Sequence, residues 1–415
     1  MATILAYTSP AFGNLCPILA LLSELRGRGH RIVLRTLAEG VPIGARLAFD
    51  TSAVDPRIEA VAMTDWMAPN GRAAIRTAFD VFAKRAEYEV DDLRSAIAST
   101  RPDVAIIDAN CWGAPAAADV AALPWVAFWS YPPFLTSRAV PPFGPGLRPW
   151  PGIRGRLRDA VLRPIVTGLI EQAMVEPLNR IHATLGARPI ASSDDFVRRA
   201  PLMLVASAEP FEYPHPDWGD AVQMIGPCEF DLPFAGSTDW IDDVDRPIVL
   251  VTTSSERQGD DALPLAAMTA LSDEPIHVVA TFPCGIPAGI TIPDNATVRR
   301  FVPHGVLLDR AVCAVTHGGM GATQKALARG VPVCVVPFGR DQFEVARRVE
   351  VSCSGTRLRA TKLTPLRLKS KVAEAMSMVD GARRVAAGFA ASGGVARGAD
   401  LLERRLLGLG PAAKV

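Results

Sequence analysis

The amino-acid sequence lacks an excess of either charge. Its 415 residues carry 44 Lys and Arg against 43 Asp and Glu, a formal net charge of +1 at pH 7. This balance argues against a nucleic-acid-binding protein held by broad attraction to phosphates. A charged fraction of 21% beside a hydrophobic fraction of 49% also excludes a largely disordered chain. With domains of roughly 100–200 residues, the length predicts two or three domains.

Paired cysteines are also missing. The seven cysteines, an odd number, are scattered along the chain without a CxxC pair, which is unlike a disulfide framework or a zinc site. The histidines show no metal-ligand spacing either, so no metal site is expected. We therefore expect a protein of the reducing cytoplasm.

Long uninterrupted apolar runs are absent as well. The two most apolar segments, residues 3–23 and 120–137, are both broken by prolines. A signal peptide requires basic residues before its apolar stretch, and none precedes the first segment. Neither segment offers the ~20 apolar residues of a membrane-spanning helix. Both are expected to be buried strands and loops, and no membrane span is predicted.

The order of apolar runs and turn residues predicts an α/β protein. Residues 3–7 and 30–36 fit buried strands, and Pro17 suits the start of a helix over 18–26 between them, which makes a βαβ unit. Lost periodicity and accumulated turn residues mark a domain boundary at 227–245. Further strands are expected at 104–107, 125–129, 202–207, 222–225, 247–253, 276–281, 297–301, 311–316 and 331–337, with helices at 114–122 and 156–185 and a long proline-rich loop at 131–150.

A glycine-rich turn between a strand and a helix is the most informative segment. The strand at 311–316 runs into HGGMG at 317–321, and a helix over 322–328 follows. Glycine lets the backbone approach a ligand closely, and a helix N-terminus offers free N–H groups and partial positive charge, which suit a phosphate. Thr323 can add a hydroxyl. The alternative is a tight turn that needs glycine for geometry alone, and His317 on the same loop favours a site.

An acid–amide pair, Asp341 and Gln342, follows the next strand. Open α/β sheets bind their ligands beyond the carboxyl ends of the strands. A carboxylate beside an amide can hold two neighbouring hydroxyls of a sugar. The alternative is that Asp341 caps a helix over 343–349.

Several motifs occur in an order that is specific as a set, although each alone is weak. They are HGGMGAT at 317–323, GVP at 330–332, PFGRDQ at 337–342, SPAFGNLCPILALLSELRGRGHRI at 9–32, and FVPH at 301–304 followed by Leu307 and Leu308. The set resembles family 1 glycosyltransferases with the GT-B fold, over nearly the whole chain. Within that family the sequence is most similar to actinobacterial enzymes that glycosylate natural products of the macrolide and polyketide type.

The resemblance implies a GT-B fold, in which two Rossmann-like domains face each other across a cleft. Residues 1–226 would bind the acceptor, 227–245 would be a linker, and 246–395 would bind the nucleotide sugar. A helix within 396–415 would cross back to the first domain. The implied reaction is inverting transfer from a UDP- or dTDP-sugar, which is a co-substrate rather than a cofactor, to a hydrophobic acceptor. Whether the chain forms a homodimer is left open.

The resemblance also implies which residues bind the two substrates. The diphosphate is expected at the glycine-rich loop, with two hydroxyl partners beside it, a valine at the nucleobase and the acid–amide pair at the sugar. These residues are Ser255, Val302, His317, Gly318, Gly319, Gly321, Thr323, Asp341 and Gln342. Bulky aromatics near proline-rich loops suit a planar hydrophobic acceptor, although core packing is the alternative for each. The expected acceptor-site residues are Phe12, Trp66, Trp129 and Phe134.

One departure from the family bears directly on catalysis. The family's first loop usually carries Gly-His, whose histidine is the general base, and this chain has Gly13-Asn14. An asparagine amide has no useful basicity near neutral pH and can only orient or hydrogen-bond a substrate. The aspartate that usually steadies the histidine is present as Asp108. Three explanations stay open. The nucleophile needs little help, as with an acidic phenol, an amine or an electron-rich aromatic carbon; or Asp108, or a water that it polarises, is the base; or catalysis is lost.

Two other protein classes and a second departure stay open at this point. A catalytically silent GT-B partner or activator predicts nucleotide binding without turnover, and a nucleotide-sugar epimerase predicts product from the donor alone. Lys325 stands where related enzymes often have a neutral residue or a ribose-binding acid. Either this lysine reaches phosphate, or it lies on a solvated helix face.

Overall fold

Two parallel sheets flanked by helices make up the structure. The computed structural model describes residues 1–409, and residues 410–415, the end of the predicted C-terminal segment, lie outside the described residues. The predicted α/β fold with two Rossmann-like domains is confirmed. None of the helices described for residues 1–409 combines the length and the apolar character that crossing a membrane requires.

The strands pair only in parallel within each sheet. The first sheet has the order β3-β2-β1-β4-β5-β6-β7 and the second the order β10-β9-β8-β11-β12-β13. Most of their residues are buried on both faces, as parallel sheets covered by helices require. In chain order, the strands β1 to β13 are Thr3–Tyr7, Arg31–Thr36, Asp50–Ala53, Val104–Asp108, Trp125–Trp129, Leu202–Val205, Val222–Met224, Ile248–Thr252, His277–Thr281, Ala296–Arg299, Ala311–Thr316, Val333–Val335 and Gly355–Arg357.

Helices connect the strands and cover both faces of each sheet. The longest two, α4 and α6, pack against each other on the first domain. In chain order, the helices α1 to α14 are Phe12–Gly27, Val41–Arg46, Pro56–Ala60, Gly71–Thr100, Ala114–Val120, Gly152–Leu185, Ser193–Val197, Ala262–Leu271, His304–Leu308, Met320–Ala328, Gln342–Val351, Pro365–Met376, Val379–Ala391 and Gly394–Arg405.

The first helix begins earlier than the sequence predicts. The sequence places Pro17 in the first turn, but α1 begins at Phe12 and carries Pro17 in its interior. A proline there removes the hydrogen bond to the carbonyl four residues earlier, which belongs to Gly13. Since Gly13 is exposed, water can reach that carbonyl and the helix continues. Asn14 therefore lies on the first turn of a helix and not in the predicted loop.

The inner face of α4 carries polar side chains, so the sequence does not show the apolar periodicity that would predict this helix. Glu89 is fully buried and accepts a hydrogen bond from the Gly113 amide at 2.7 Å. Burial raises the pKa of Glu89 to about 8. Asp92, also buried, accepts a hydrogen bond from the Tyr7 hydroxyl at 2.9 Å. Because these side chains interrupt the apolar periodicity, the sequence analysis assigned no element to residues 37–103.

The C-terminal helix α14 packs on the first domain. Its Leu401 and Leu402 belong to the same buried cluster as β1 and α1. Arg28, at the end of α1, donates hydrogen bonds to Asp400 at 2.6 Å and to Glu403 at 2.8 Å. The helix begins at Gly394, slightly before the expected segment 396–415.

A buried charge network joins the two domains, and we call it the interdomain network. It consists of Glu212, which precedes β7, and of Glu344 and Arg348 on α11. Arg348 donates to Glu212 at 2.7 Å and to Glu344 at 2.9 Å. The other oxygen of Glu344 accepts the backbone N–H groups of Gly144 and Gly146, both at 2.8 Å. The proline-rich loop of the first domain is thereby tied to the second.

Removing the charge of Arg348 should destabilise the fold strongly. Arg348 is 4% exposed, and both its acidic partners are buried with it. Arg348→Met is expected to lower the free energy of unfolding by about 3–5 kcal/mol, because it leaves buried carboxylates without their cation. Chemical denaturation measures this change. The matched control Arg383→Met removes an arginine that is 73% exposed and should change stability by less than about 0.5 kcal/mol; equal effects would contradict the argument.

The same network predicts an acid-sensitive contribution to stability. Burial alone would raise the pKa of Glu212, but Arg348 and His215 outweigh it and hold the pKa at about 2 instead of 4.5. A depressed carboxyl pKa contributes to the free energy of unfolding. This contribution is complete above about pH 4.5 and is lost as the pH falls toward about 2. Glu212→Gln should therefore be less stable than the wild type at neutral pH. It should also lose less stability than the wild type as the pH falls from about 4.5 to about 2. Parallel pH profiles of the two proteins would contradict this.

Candidate functional site

The carboxyl ends of the strands carry the candidate site in both domains. In the first sheet, Ser9 follows β1, Asp108 ends β4 and Ser130 follows β5. In the second sheet, His317 follows β11 and Asp341 follows β12. Ligands of open parallel sheets bind at this edge, so the fold places both halves of the candidate site where chemistry is expected.

Side chains from both domains meet between the two edges. Tyr131, two residues after β5, packs against the hydrophobic clusters of both domains. Arg340 of the second domain donates two hydrogen bonds of 2.9 Å to the carboxylate of Asp65 in the first. Trp66 lies next to the backbone of Gly259. These contacts form the cleft between the domains.

Asn14 belongs to a line of four hydrogen-bonded side chains. The Ser130 hydroxyl donates to Asn14 Oδ1 at 3.0 Å, and Asn14 Nδ2 donates to Ser9 Oγ at 2.9 Å. The Ser9 hydroxyl in turn donates to Asp108. Ser9 therefore bridges the two residues predicted to be catalytic. The sequence analysis missed Ser9 and Ser130, although both follow the ends of predicted strands.

Asp108 is the most deeply buried member of this line. It is 1% exposed, and its carboxylate also accepts the backbone N–H groups of Ser9 at 3.0 Å and Asn110 at 3.2 Å. Burial raises its pKa, although the hydrogen bonds from Ser9, Asn110 and Asn14 oppose the rise. The geometry thus suits Asp108 to fixing Ser9 and Asn14, while Asn14, at 9% exposed, is the most exposed of the four.

The N-terminus of α10 forms a candidate anion site. Its N-cap residue, Gly319, supplies no side-chain cap, so the first N–H groups of the helix have no side-chain partner. The positive end of the helix dipole favours an anion there. His317 is 7% exposed, and its Nδ1 has no hydrogen-bond partner within the described chain, Asp260 being 3.9 Å away. Burial lowers the pKa of His317 and favours the neutral ring.

The loop geometry constrains Gly318 and Gly319, whereas a Cβ at Gly321 would have nothing within 4 Å. Gly318 has φ +94°, a conformation that side chains disfavour, and a Cβ at Gly319 would collide with the His317 ring. Thr323 differs from its expected role as a phosphate partner. It is 0% exposed and its hydroxyl lies 3.2 Å from that of Thr316, so it supports the loop from beneath.

Asp341 and Gln342 separate into two roles. Asp341 is the N-cap residue of α11 but its side chain makes no cap hydrogen bond, and burial raises its pKa to about 6. Its carboxylate is therefore available to a ligand. Gln342 instead accepts the N–H groups of Phe338 at 2.8 Å and Gly339 at 3.1 Å, and donates to Gln258. In this structure Gln342 shapes the loop, and its predicted contact to a sugar remains a prediction.

The other residues predicted to bind the nucleotide sugar differ in their exposure and contacts. Ser255 is exposed on the loop after β8. Val302 is fully buried in the core of the second domain, so only its backbone can face a nucleobase. Lys325 takes neither expected position, because it donates to the carbonyl of Phe230 at 2.9 Å and to Asp231 of the linker at 2.6 Å.

The four predicted acceptor residues divide by exposure. Phe12 is partly exposed at the start of α1, and Trp66 is 40% exposed at the cleft. Trp129 and Phe134 are 2% and 5% exposed, and their rings pack edge to face with centroids 4.9 Å apart. The structure therefore makes Trp129 and Phe134 core residues, which corrects the prediction that they line the acceptor site. Aromatic content alone does not separate the two environments.

Comparisons with known proteins identify relatives of the chain. Residues 262–396 match the family described as "Erythromycin biosynthesis protein CIII-like, C-terminal domain". The chain is 30% identical over 383 residues to 4'-demethylrebeccamycin synthase of Lentzea aerocolonigenes, covering 88% of this chain and 89% of that protein. It is 28% identical over 424 residues to demethyllactenocin mycarosyltransferase of Streptomyces fradiae, covering 97% and 86%.

Solved structures are similar over almost the full length. The calicheamicin glycosyltransferase CalG4 has a TM-score of 0.77 at 22% identity, covering 99% of this chain and 100% of that one. The glycosyltransferase VinC, solved in complex with dTDP, has a TM-score of 0.72 at 19% identity, covering 99% and 100%. At these identities the likeness shows the shared fold.

A side chain at position 319 should weaken anion binding at the candidate site, because its Cβ would collide with the His317 ring. Gly319→Ala should displace the His317 ring and weaken the binding of UDP and dTDP about tenfold or more, since charge-assisted hydrogen bonds contribute about 1.5–3 kcal/mol. Titration calorimetry measures the affinity. Gly27→Ala, at the end of α1 where nothing lies within 4 Å of the new methyl group, is the matched control. Unchanged affinity in Gly319→Ala would place the anion elsewhere.

Proposed function

The chain belongs to the GT-B glycosyltransferases of natural-product biosynthesis, and from this we propose that it catalyses inverting sugar transfer to a hydrophobic aromatic or polyketide acceptor. The proposed donor is a UDP- or dTDP-sugar. The uncapped N-terminus of α10 beside the buried His317, on a helix that packs near α1 with its Asn14, is the observation that carries the proposal.

The donor side is proposed to stabilise the leaving group. The diphosphate would accept hydrogen bonds from the loop amides around Gly319 and from His317, with the helix dipole opposing its growing negative charge. Such preorganised donors need no reorganisation as the charge develops. The free carboxylate of Asp341 is suited to the sugar hydroxyls. The dTDP complex of VinC and the mycarosyltransferase relative support a nucleoside diphosphate donor.

On the acceptor side, Asn14 is proposed to orient the nucleophile by hydrogen bonding. The acceptor attacks the anomeric carbon from the face opposite the diphosphate, the bond from carbon to the diphosphate oxygen breaks, and the acceptor's proton passes to water. Because an amide cannot take that proton, the acceptor group must either ionise easily, as a phenol does, or attack through a neutral lone pair and lose its proton afterwards, as an amine does. Asp108 acts as a positioning residue through Ser9.

The buried position of Asp108 supports this division of roles. A general base must come within hydrogen-bond reach of the proton it removes, whereas Asp108 is 1% exposed behind Ser9. The Ser130–Asn14–Ser9 line holds the Asn14 amide in one orientation, because each of its polar atoms has a partner. The acceptor substrate then meets a hydrogen-bonding amide whose N–H and carbonyl groups have fixed positions.

Asn14→Ala tests the proposed role of the amide. The variant should lower kcat/KM for the acceptor about tenfold, since it removes one positioning hydrogen bond of about 1–1.5 kcal/mol, and should leave the affinity for UDP and dTDP unchanged. Product formation across UDP- and dTDP-sugars with phenolic and heterocyclic acceptors is the measurement. Ser23→Ala, which removes a side-chain hydrogen bond further along the same helix, is the control and should leave kcat/KM unchanged.

Three outcomes would contradict the proposal in distinguishable ways. Nucleotide binding without any turnover would favour a silent partner protein, and product from the donor alone would favour an epimerase. Absence of turnover together with no stabilisation of the protein by UDP or dTDP in a melting experiment would reject a nucleotide-sugar enzyme altogether.

A further inference from the structure

The first half of α6 exposes a row of apolar side chains that we call the apolar stripe. It consists of Trp150, just before the helix, and of Ile153, Leu157, Val161 and Ile165. These side chains are between 55% and 81% exposed, and no other helix of the described chain exposes as many large apolar residues as the four on α6. Scattered exposed apolar residues are ordinary, but a contiguous patch marks an interaction surface.

Helix geometry places the stripe opposite the buried face of α6. Residues four apart lie on one side of a helix and drift by only about 40° per step. The row from Ile153 to Ile165 is therefore one continuous surface of roughly 18 Å. The residues that pack against the domain, among them Gly155, Asp159 and Ile170, lie on the other side.

The surroundings of the stripe are strongly basic. Residues 148–165 contain five arginines and one acid, Asp159, which is buried and paired with Arg158 at 2.7 Å. Arg148, Arg154 and Arg156 are exposed. An apolar face flanked by arginine and bordered by tryptophan is the pattern of a helix that lies in the plane of a membrane surface.

Trp150 is held in place at one end of the stripe. The Arg158 guanidinium lies 4.6 Å from the centroid of the Trp150 ring. The Trp150 carbonyl packs against Gly155, so a Cβ at Gly155 would collide with that carbonyl. Tryptophan concentrates at the boundary between lipid headgroups and acyl chains. The stripe therefore presents a preordered apolar edge with an interfacial residue at its start.

From this arrangement we infer that the apolar stripe of α6 docks the protein reversibly on a membrane surface that contains anionic lipid. A second copy of the chain would bring two strongly basic segments together, which like-charge repulsion opposes. A specific protein partner is normally fixed by about one hydrogen bond per 100–200 Å² of interface, but the stripe itself offers no polar side chain. Apolar area with flanking positive charge and no fixed register suits a fluid anionic surface.

The stripe adjoins the proline-rich loop 131–150 of the first domain. α6 begins directly after the loop 131–150, whose Gly144 and Gly146 amides are held by Glu344. A protein resting on this face would hold that loop close to the lipid, where hydrophobic small molecules concentrate. The docking itself does not depend on the proposed reaction, and its test needs no turnover.

Vesicle binding by the full chain tests the inference. The protein should sediment with vesicles of phosphatidylcholine mixed with an equal amount of phosphatidylglycerol, and not with phosphatidylcholine alone. Binding should weaken as salt is added, because salt screens exposed charges. Ile153→Ser with Leu157→Ser should weaken binding at least about tenfold through lost apolar contact. Arg154→Ala with Arg156→Ala should weaken it roughly thirtyfold, from about fivefold per arginine.

Matched controls separate the stripe from general surface effects. Ile286→Ser with Ile292→Ser changes two exposed apolar residues of the second domain, and Arg383→Ala with Arg384→Ala removes two exposed arginines there. Both control variants should bind vesicles as the wild type does, and circular dichroism checks that all variants fold.

Three results would overturn the inference. The first is no binding of the wild type to anionic vesicles, and the second is equal loss in the control variants. The third is a dimer, measured by light scattering on a sizing column, that the stripe variants dissociate; it would assign the face to a second copy of the chain.

Discussion

The arrangement of the cleft depends on the buried charge of Arg348. This guanidinium lies between Glu212, from the first domain, and Glu344, which also binds two backbone amides of the loop 131–150. A buried cation among carboxylates fixes geometry because any displacement leaves an unpaired charge away from water. Both acids and the arginine are buried. The relative position of the two sheet edges follows from this interaction.

The same helix carries the donor side of the cleft. α11 begins directly after Asp341, and Arg340 before it pairs with Asp65 across the cleft. Both ends of this segment are therefore tied to the first domain, and the Asp341 carboxylate stays free between them. The donor side is built mainly from backbone, with loop amides and a helix end, whereas the acceptor side is built from side chains around Asn14. With this difference, a substitution at position 14 affects the side chains of the proposed acceptor side and leaves the backbone features of the donor side in place.

Local patterns in the sequence predicted much of the fold and the position of the donor loop. The strands before Ser9 and His317 follow from short apolar runs, and glycines at a strand-to-helix turn indicate a close backbone approach. Features that depend on tertiary contacts were not predictable. The polar inner face of α4 concealed a helix of 30 residues, and the bridging role of Ser9 needs Asp108, 99 positions away. Burial of Thr323 and Trp129 likewise depends on packing that spacing does not encode.

The central claim is that transfer proceeds without a protein side chain that takes the acceptor's proton, because Asn14 replaces the histidine and Asp108 is sequestered. The pH dependence of kcat/KM for a series of phenolic acceptors of different acidity tests it most directly. The account predicts that the ascending limb of each profile follows the pKa of the acceptor used. One constant pKa in every profile, independent of the acceptor, would reveal a titrating base on the protein and contradict the claim.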